Sequence, residues 1–389
     1  MTADWRARAA AAIPGGTSTG SKRPDSMFGV GHTGPTHITD AAGCRVRTTD
    51  GAWLIDLTAA LGAVSLGYAD PAVTHAVERA AQRGPAAGLP YADEVTLAER
   101  LREFVPCAEQ TRFLKSGAEA CAAAVRIARA YTGRSRVLGS GYFGWLDWWA
   151  PSLGVPPNAY ADYTHLPFID REAWRSALVD AGDSLAAVMI EPYIEILADA
   201  EWLRELRAHC DHVGAVLIFD EVKTGFRLHR GGAQSLLGVI PDLASIGKAL
   251  ANGYPLAAVV GKAEVMAAAN RTWISSTLAT ELTAISAAHA VLDQHDARDV
   301  CGLLHSTGRE LRRAIDAAVQ AAGSHLQASG DDTMFIIRWP DDETMDHKLA
   351  LLRDAGVLAK RGPYQFPMLA MSPADIAAVG DAFHWALTH

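Results

Sequence analysis

Between residues 111 and 261 the chain alternates short, almost wholly apolar runs with segments whose apolar residues recur every three or four positions. The runs TRFLK (111–115), SRVLGS (135–140), LAAVMIEP (185–192), GAVLIFDE (214–221), LASIG (243–247) and PLAAVVG (255–261) predict strands, and 117–133 and 199–214 predict helices. Strands that are apolar on both faces and separated by helices imply a largely parallel α/β sheet covered on both sides. Such sheets bind ligands beyond the carboxyl ends of their strands, which singles out Ser116, Tyr142, Glu191, Asp220 and Lys248. The flanks read differently. Residues 37–57 look like a β-meander turning at Asp50-Gly51, and beyond about residue 300 a long amphipathic helix leads to a strand over 333–340 and another helix. The expected division is a large domain over 59–299 and a smaller one built from both ends, 1–58 and 300–389.

Composition narrows the class. With 49% hydrophobic and 20% charged residues, the chain has the make-up of an ordinary globular protein with a sizeable core. A net charge of -9 argues against nucleic acid or an anionic membrane as partner. No stretch approaches the ~20 apolar residues of a membrane span, and the N-terminal residues lack the apolar region of a signal peptide. Five scattered cysteines without a C-x-x-C pair suggest reduced thiols in a cytoplasmic protein. Fourteen histidines without H-E-x-x-H spacing give no metal site.

The candidate chemistry lies at the strand ends. VLIFDEVKTGFR (216–227) ends an apolar strand on two acids, and the next strand leads to Lys248 inside the apolar run LASIGKALANGYPLAAVVG (243–261). A lysine in such a run can snorkel to water, or its amine can serve as a covalent catalyst. Carboxylate and amine would emerge on the same edge of the sheet. KSGAEA (115–120) reads as a strand end, a turn and a helix start, with Ser116 as N-cap and free N–H groups suited to a phosphate. GYFGWLDWW (141–149) places Tyr142 and Phe143 where a flat ring could stack, although such aromatics also serve as core. A phosphate cup, a stacking ring, a carboxylate and a lysine together suit pyridoxal phosphate (PLP).

These motifs, with PGGTSTGSKRP (14–24) and LGYADPAVTHAV (66–77), make the chain resemble the class III PLP-dependent aminotransferases of fold type I, in the glutamate-1-semialdehyde 2,1-aminomutase-like branch. The resemblance implies a mostly parallel seven-stranded sheet in the large domain. It makes Lys248 the residue joined to the cofactor and the proton carrier, with Asp220 against the pyridinium nitrogen. Val222 and Tyr142 would cover the two ring faces, with Phe143 beside Tyr142 and Glu191 near the ring. Ser116, Gly117 and Ala118 would hold the phosphate, joined by Thr277 from the neighbouring subunit of a homodimer.

The chain departs from the family pattern in several places. Phe143 replaces a histidine. Lys223 stands where Gln or Met is usual, as a second cation near the ring or as a solvated lysine. STLATELT (276–283) keeps the threonine but not the glycine of the family's run. Pro367 occupies the place of a glutamate of the aminomutases, which counts against that reaction. Lys22, Arg23, Trp53 and Trp145 are candidate substrate residues, the first two for an acidic group and the tryptophans as walls of a sugar pocket. The expected reaction is transfer of an amino group from an amino acid, glutamate foremost, to the carbonyl of a sugar- or cyclitol-like compound in antibiotic or glycan biosynthesis. The alternatives are an intramolecular aminomutase or epimerase, or a PLP-binding protein without turnover.

Overall fold

The apolar runs do pair as strands. In a computed structural model, described over residues 4–32, 34–362 and 364–389, all six join one further strand in a seven-stranded sheet: β1 (Gln110–Leu114), β2 (Arg136–Ser140), β3 (Tyr163–His165), β4 (Leu185–Ile190), β5 (Val216–Asp220), β6 (Leu243–Ile246) and β7 (Ala257–Gly261), in the order β1-β7-β6-β5-β4-β2-β3. Neighbours from β6 to β3 run parallel, while β7 lies antiparallel to both β6 and β1. Every residue of β4, β5, β6 and β7 is buried, as the unbroken apolar runs require of strands covered on both faces. The edge strand β3 is the one the pattern does not reveal. It is three residues long and reads Tyr-Thr-His, too short and too polar to stand out.

The chain divides into two compact units, Ala72–Cys301 and the pair Met1–Pro71 with Gly302–His389. The first contains the sheet. On one side of it the helix Gly117–Thr132 buries Ala120, Ala123, Ala124, Ile127 and Ala128, small side chains that let the helix axis approach the strands closely. A second buried cluster holds Trp174 and Trp202 from the helices Arg171–Ala181 and Ala200–Val213, packed edge to face with ring centroids 5.6 Å apart. In the other unit, the strands Ile38–Ala42, Arg45–Thr48 and Trp53–Asp56 form the expected meander, extended by the parallel strand Val357–Leu358. A separate hairpin pairs Gln327–Asp331 with Met334–Arg338. No helix among the described residues is long and apolar enough to cross a membrane.

Asp242, just before β6, ties sheet and flank together. Its carboxylate accepts the Leu217 N–H at 2.8 Å and pairs with Arg207 and Lys262, both at 2.7 Å. Asp242→Ala would leave the buried Leu217 N–H without its acceptor and Arg207 with Asp211 alone of its two carboxylates. It should lower stability by about 2–3 kcal/mol, read as an earlier urea midpoint.

Candidate active site

Three segments meet at the carboxyl ends of β1, β5 and β6. After β1, Ser116 caps the helix Gly117–Thr132 in a capping box: its hydroxyl accepts the Glu119 N–H, and the Glu119 carboxylate accepts the Ser116 N–H at 2.8 Å. The first turn is crowded from outside. A Cβ on Gly117 would stand 2.8 Å from Val222 Cγ1, so only glycine lets Val222 roof this turn. A Cβ on Gly144 would lie 2.2 Å from that of Ala118, which shows how closely the loop after β2 returns to the same turn. Ser116, Gly117, Ala118, Val222 and the Tyr142 loop therefore share one corner.

Asp220 ends β5 opposite Ser245 of β6 and is buried. Its Oδ1 accepts the Val222 N–H at 3.0 Å. Burial, reinforced by the Glu191 charge, pushes its carboxyl up to about 7, against the opposing pull of the Val222 N–H, Lys248 and Cys121. Lys248 follows β6 by two residues and opens a short 3₁₀ turn, Lys248–Ala251, in the left-handed region at φ 47°. That conformation is costly for a lysine and marks a position the surroundings enforce. Its amine has no hydrogen-bond or ion-pair partner among the described residues. Burial first, then the Lys223 charge, lowers its affinity for a proton.

Glu191, beyond β4, is buried and joins two further pieces. Its Oε1 pairs with Lys223 Nζ at 2.6 Å, and its Oε2 accepts the Tyr142 N–H at 3.1 Å. Lys223 is therefore no solvated lysine. Its side chain is 8% exposed and lies over the Tyr193 ring at 5.5 Å. Sequence reasoning passed over Tyr193, although IEPY sets it two residues after Glu191. It also passed over Cys121, whose thiol lies by Asp220, and the structural task of Glu221, which accepts the N–H groups of Ala233 and Gln234 at 2.8 and 3.0 Å. The second acid of the DE pair was the available signal for Glu221; a cysteine in an alanine-rich helix gives none.

Several expectations change. Phe143 does not stand beside Tyr142 at the site: it is fully buried and stacks on Trp148 at 5.8 Å in the core. Tyr142 is 68% exposed and meets Trp149 at one edge, with ring centroids 5.7 Å apart. Trp145 lines a groove with Arg126, Arg129 and Trp148 along the helix Gly117–Thr132, away from the strand-end cluster. Thr277 is exposed on the loop before the helix Leu282–Ala297 and faces a small hollow lined by residues 86–91. Lys22, Arg23 and Trp53 belong to the other unit. Lys22 lines a cavity of about 360 Å³ there with Asp56, Tyr68 and Arg353, Arg23 packs over Gly15, and Trp53 is exposed.

Comparison with known proteins follows the same outline. The profile of the class-III aminotransferases matches residues 28–140 and 159–387. The chain is 32% identical to a 3-aminobutyryl-CoA aminotransferase of Cloacimonas acidaminovorans, over 85% of this chain and 81% of the relative. It is 34% identical to a glutamate-1-semialdehyde 2,1-aminomutase of Pyrobaculum calidifontis, over 84% and 78%. It is also 34% identical to a 2'-deamino-2'-hydroxyneamine transaminase of Streptomyces kanamyceticus, over 87% and 85%. Among solved structures, the PLP internal aldimine form of the FumI protein of a Sphingopyxis species superposes with a TM-score of 0.93 at 27% identity, covering 99% of this chain and 95% of that one.

The raised Asp220 carboxyl has a measurable consequence. Because its folded value lies above its unfolded one, stability falls as pH rises from about 4 to about 7. In the cofactor-free protein, Asp220→Asn should match the parent below pH 4 and melt at a higher temperature above pH 7, followed by thermal denaturation across that range.

Proposed function

This chain belongs to the class-III aminotransferases and uses PLP, and from that premise we propose that it moves an amino group from an amino acid, with glutamate the expected donor, to an aldehyde or ketone of a sugar- or cyclitol-like acceptor in antibiotic or glycan biosynthesis. The cofactor's place rests on one observation: an amine without a partner and a buried, raised carboxyl stand at adjacent strand ends beside a helix N-terminus roofed by Val222. These residues fit the group. Ser116, Gly117 and Ala118 suit its phosphate, Asp220 its pyridinium N–H, and Val222 and Tyr142 the two faces of its ring, with Glu191 at the ring's side. Phe143 supports this corner from the core.

Bound there, PLP supplies an aldehyde that takes up an amine and a ring that accepts the electron pair left when a substrate C–H bond breaks. Lys248 would hold the cofactor through Nζ. As a free base the same Nζ would take the proton from the substrate carbon and return it to the cofactor side, a role worth about 10²–10⁴ in rate that needs the neutral amine favoured by its burial. Asp220 would face the ring N–H and, as the anion, would keep that proton in place. We also place Thr277 in the phosphate cup of a second copy of the chain, giving a homodimer with shared sites; the exposed position of Thr277 supports this. Five buried free cysteines suit a cytoplasmic protein.

Two points support the acceptor: a hydroxyneamine in the name of the Streptomyces relative, and Lys22, Asp56 and Tyr68 as polar groups on one cavity. Pro367, where the aminomutases carry glutamate, disfavours isomerisation. The test is a screen of amino donors, followed as loss of the cofactor's visible absorbance, and then of acceptors that include oxidised sugars and a 3-oxoacyl-CoA. One keto acid released per turnover with a sugar acceptor is the expected result. None released points to an aminomutase or epimerase, and turnover with the acyl-CoA alone overturns the sugar assignment.

Two variants test the residues. Lys248→Ala should fold and dimerise yet escape covalent fixation to PLP by borohydride; fixation at another lysine would contradict the assignment. Thr277→Ala should weaken PLP retention about tenfold, the loss of one hydrogen bond to a charged group, measured by equilibrium dialysis.

A further inference from the structure

Lys223 is a charged residue of this corner with no part in the scheme so far. Its amine lies 2.6 Å from Glu191 Oε1, and the other oxygen of that carboxylate holds the Tyr142 N–H at 3.1 Å. The backbone before Tyr142 is pressed onto the same side chain: a Cβ on Gly141 would stand 2.6 Å from that of Glu191. On the other side, Lys223 follows Val222, whose Cγ1 lies 3.6 Å from where a Cβ on Gly247 would be. Lys223 and Lys248 thus each follow one member of a contacting pair. One ion pair links the loop that carries Tyr142 to the segment that faces Lys248.

We propose that Lys223 is a positioning residue: through Glu191 it fixes the backbone that carries the Tyr142 ring, and it holds a second positive charge beside Lys248. The inference rests on Lys248 being the residue joined to the cofactor. Four charged groups act on Lys248: Glu191 and Asp220 favour its protonated form, and Lys223 and Arg227 oppose it, in addition to burial. While the pair is intact, Lys223 and Glu191 thus act on Lys248 in opposite directions, Lys223 the more strongly. Removing the cation alone leaves the Glu191 anion unopposed, and both changes raise the proton affinity of the Lys248 nitrogen. Removing the anion alone does the reverse.

The opposite signs make the experiment decisive. The PLP-loaded protein is titrated with pH, and its visible absorption band reports protonation of the nitrogen contributed by Lys248. Lys223→Met should move the midpoint up by about one pH unit, a tenfold rise in proton affinity. Glu191→Gln should move it down, and Lys223→Arg should leave it where it was. A buried carboxylate stripped of its cation can cost enough stability to prevent folding. The double variant Lys223→Met/Glu191→Gln buries no unpaired charge of this pair, and its midpoint should lie above that of Glu191→Gln. If neither Lys223→Met nor the double variant moves the midpoint upward from its reference, the proposal falls. Lys248→Ala separates the two readings. If borohydride still fixes PLP to that variant, the cofactor assignment fails and takes this inference with it. If fixation is lost while the Lys223 variants titrate like their references, only the role of Lys223 is refuted.

Discussion

The organising constraint is electrostatic: two carboxylates and two amines, Asp220, Glu191, Lys223 and Lys248, are set at neighbouring strand ends in a largely desolvated corner. Isolated charges there would cost several kcal/mol each, so they stand only as a balanced group. The sheet makes the balance possible. In parallel strands the carboxyl ends fall on one edge, and β4, β5 and β6 are adjacent, so residues far apart in sequence arrive together. Charge balance does not make the four equivalent. Lys223 and Glu191 neutralise one another directly at 2.6 Å, whereas Asp220 is left with a raised carboxyl and Lys248 with a weakened hold on its proton. In both, the fold has moved the balance of charged and neutral forms away from the ordinary one.

Packing around the corner serves the same end. Alanines let the helix Gly117–Thr132 lie close on the sheet, so its N-terminus arrives level with the strand ends. The missing side chain at Gly117 lets Val222 close over that turn. Phe143, Trp148, Trp149 and Tyr163 interlock behind the loop after β2, anchoring the backbone from which Tyr142 projects. The rigidity that aligns a reacting group is built from residues that never touch it.

Much of this was legible in the chain. All six apolar runs became strands within two residues of the expected bounds at each end. Lys248 and Asp220 stood out because a titratable side chain ending an apolar run has few structural reasons to be there. Ser116 was legible as an N-cap, and the structure adds Glu119 as the second half of a capping box. Lys223 was not. A lysine one turn past a strand end is usually solvated, and its partner lies on a different strand, 32 residues upstream (223 − 191 = 32).

Local pattern alone determined what this chain could build: buried parallel strands, alanine-rich helices over them, and reactive residues at the strand ends, because hydrophobic periodicity and caps act between residues close in sequence. Which way each side chain turns was decided only by tertiary packing. Phe143 and Tyr142 are neighbours with similar rings, yet one completes the core and the other faces outward, because only one of them has Trp148 and Tyr163 behind it. The state of the ionisable groups was decided in the same way. Proton affinity depends on burial and on charges brought close by the fold, and neither quantity exists until β4, β5 and β6 lie side by side.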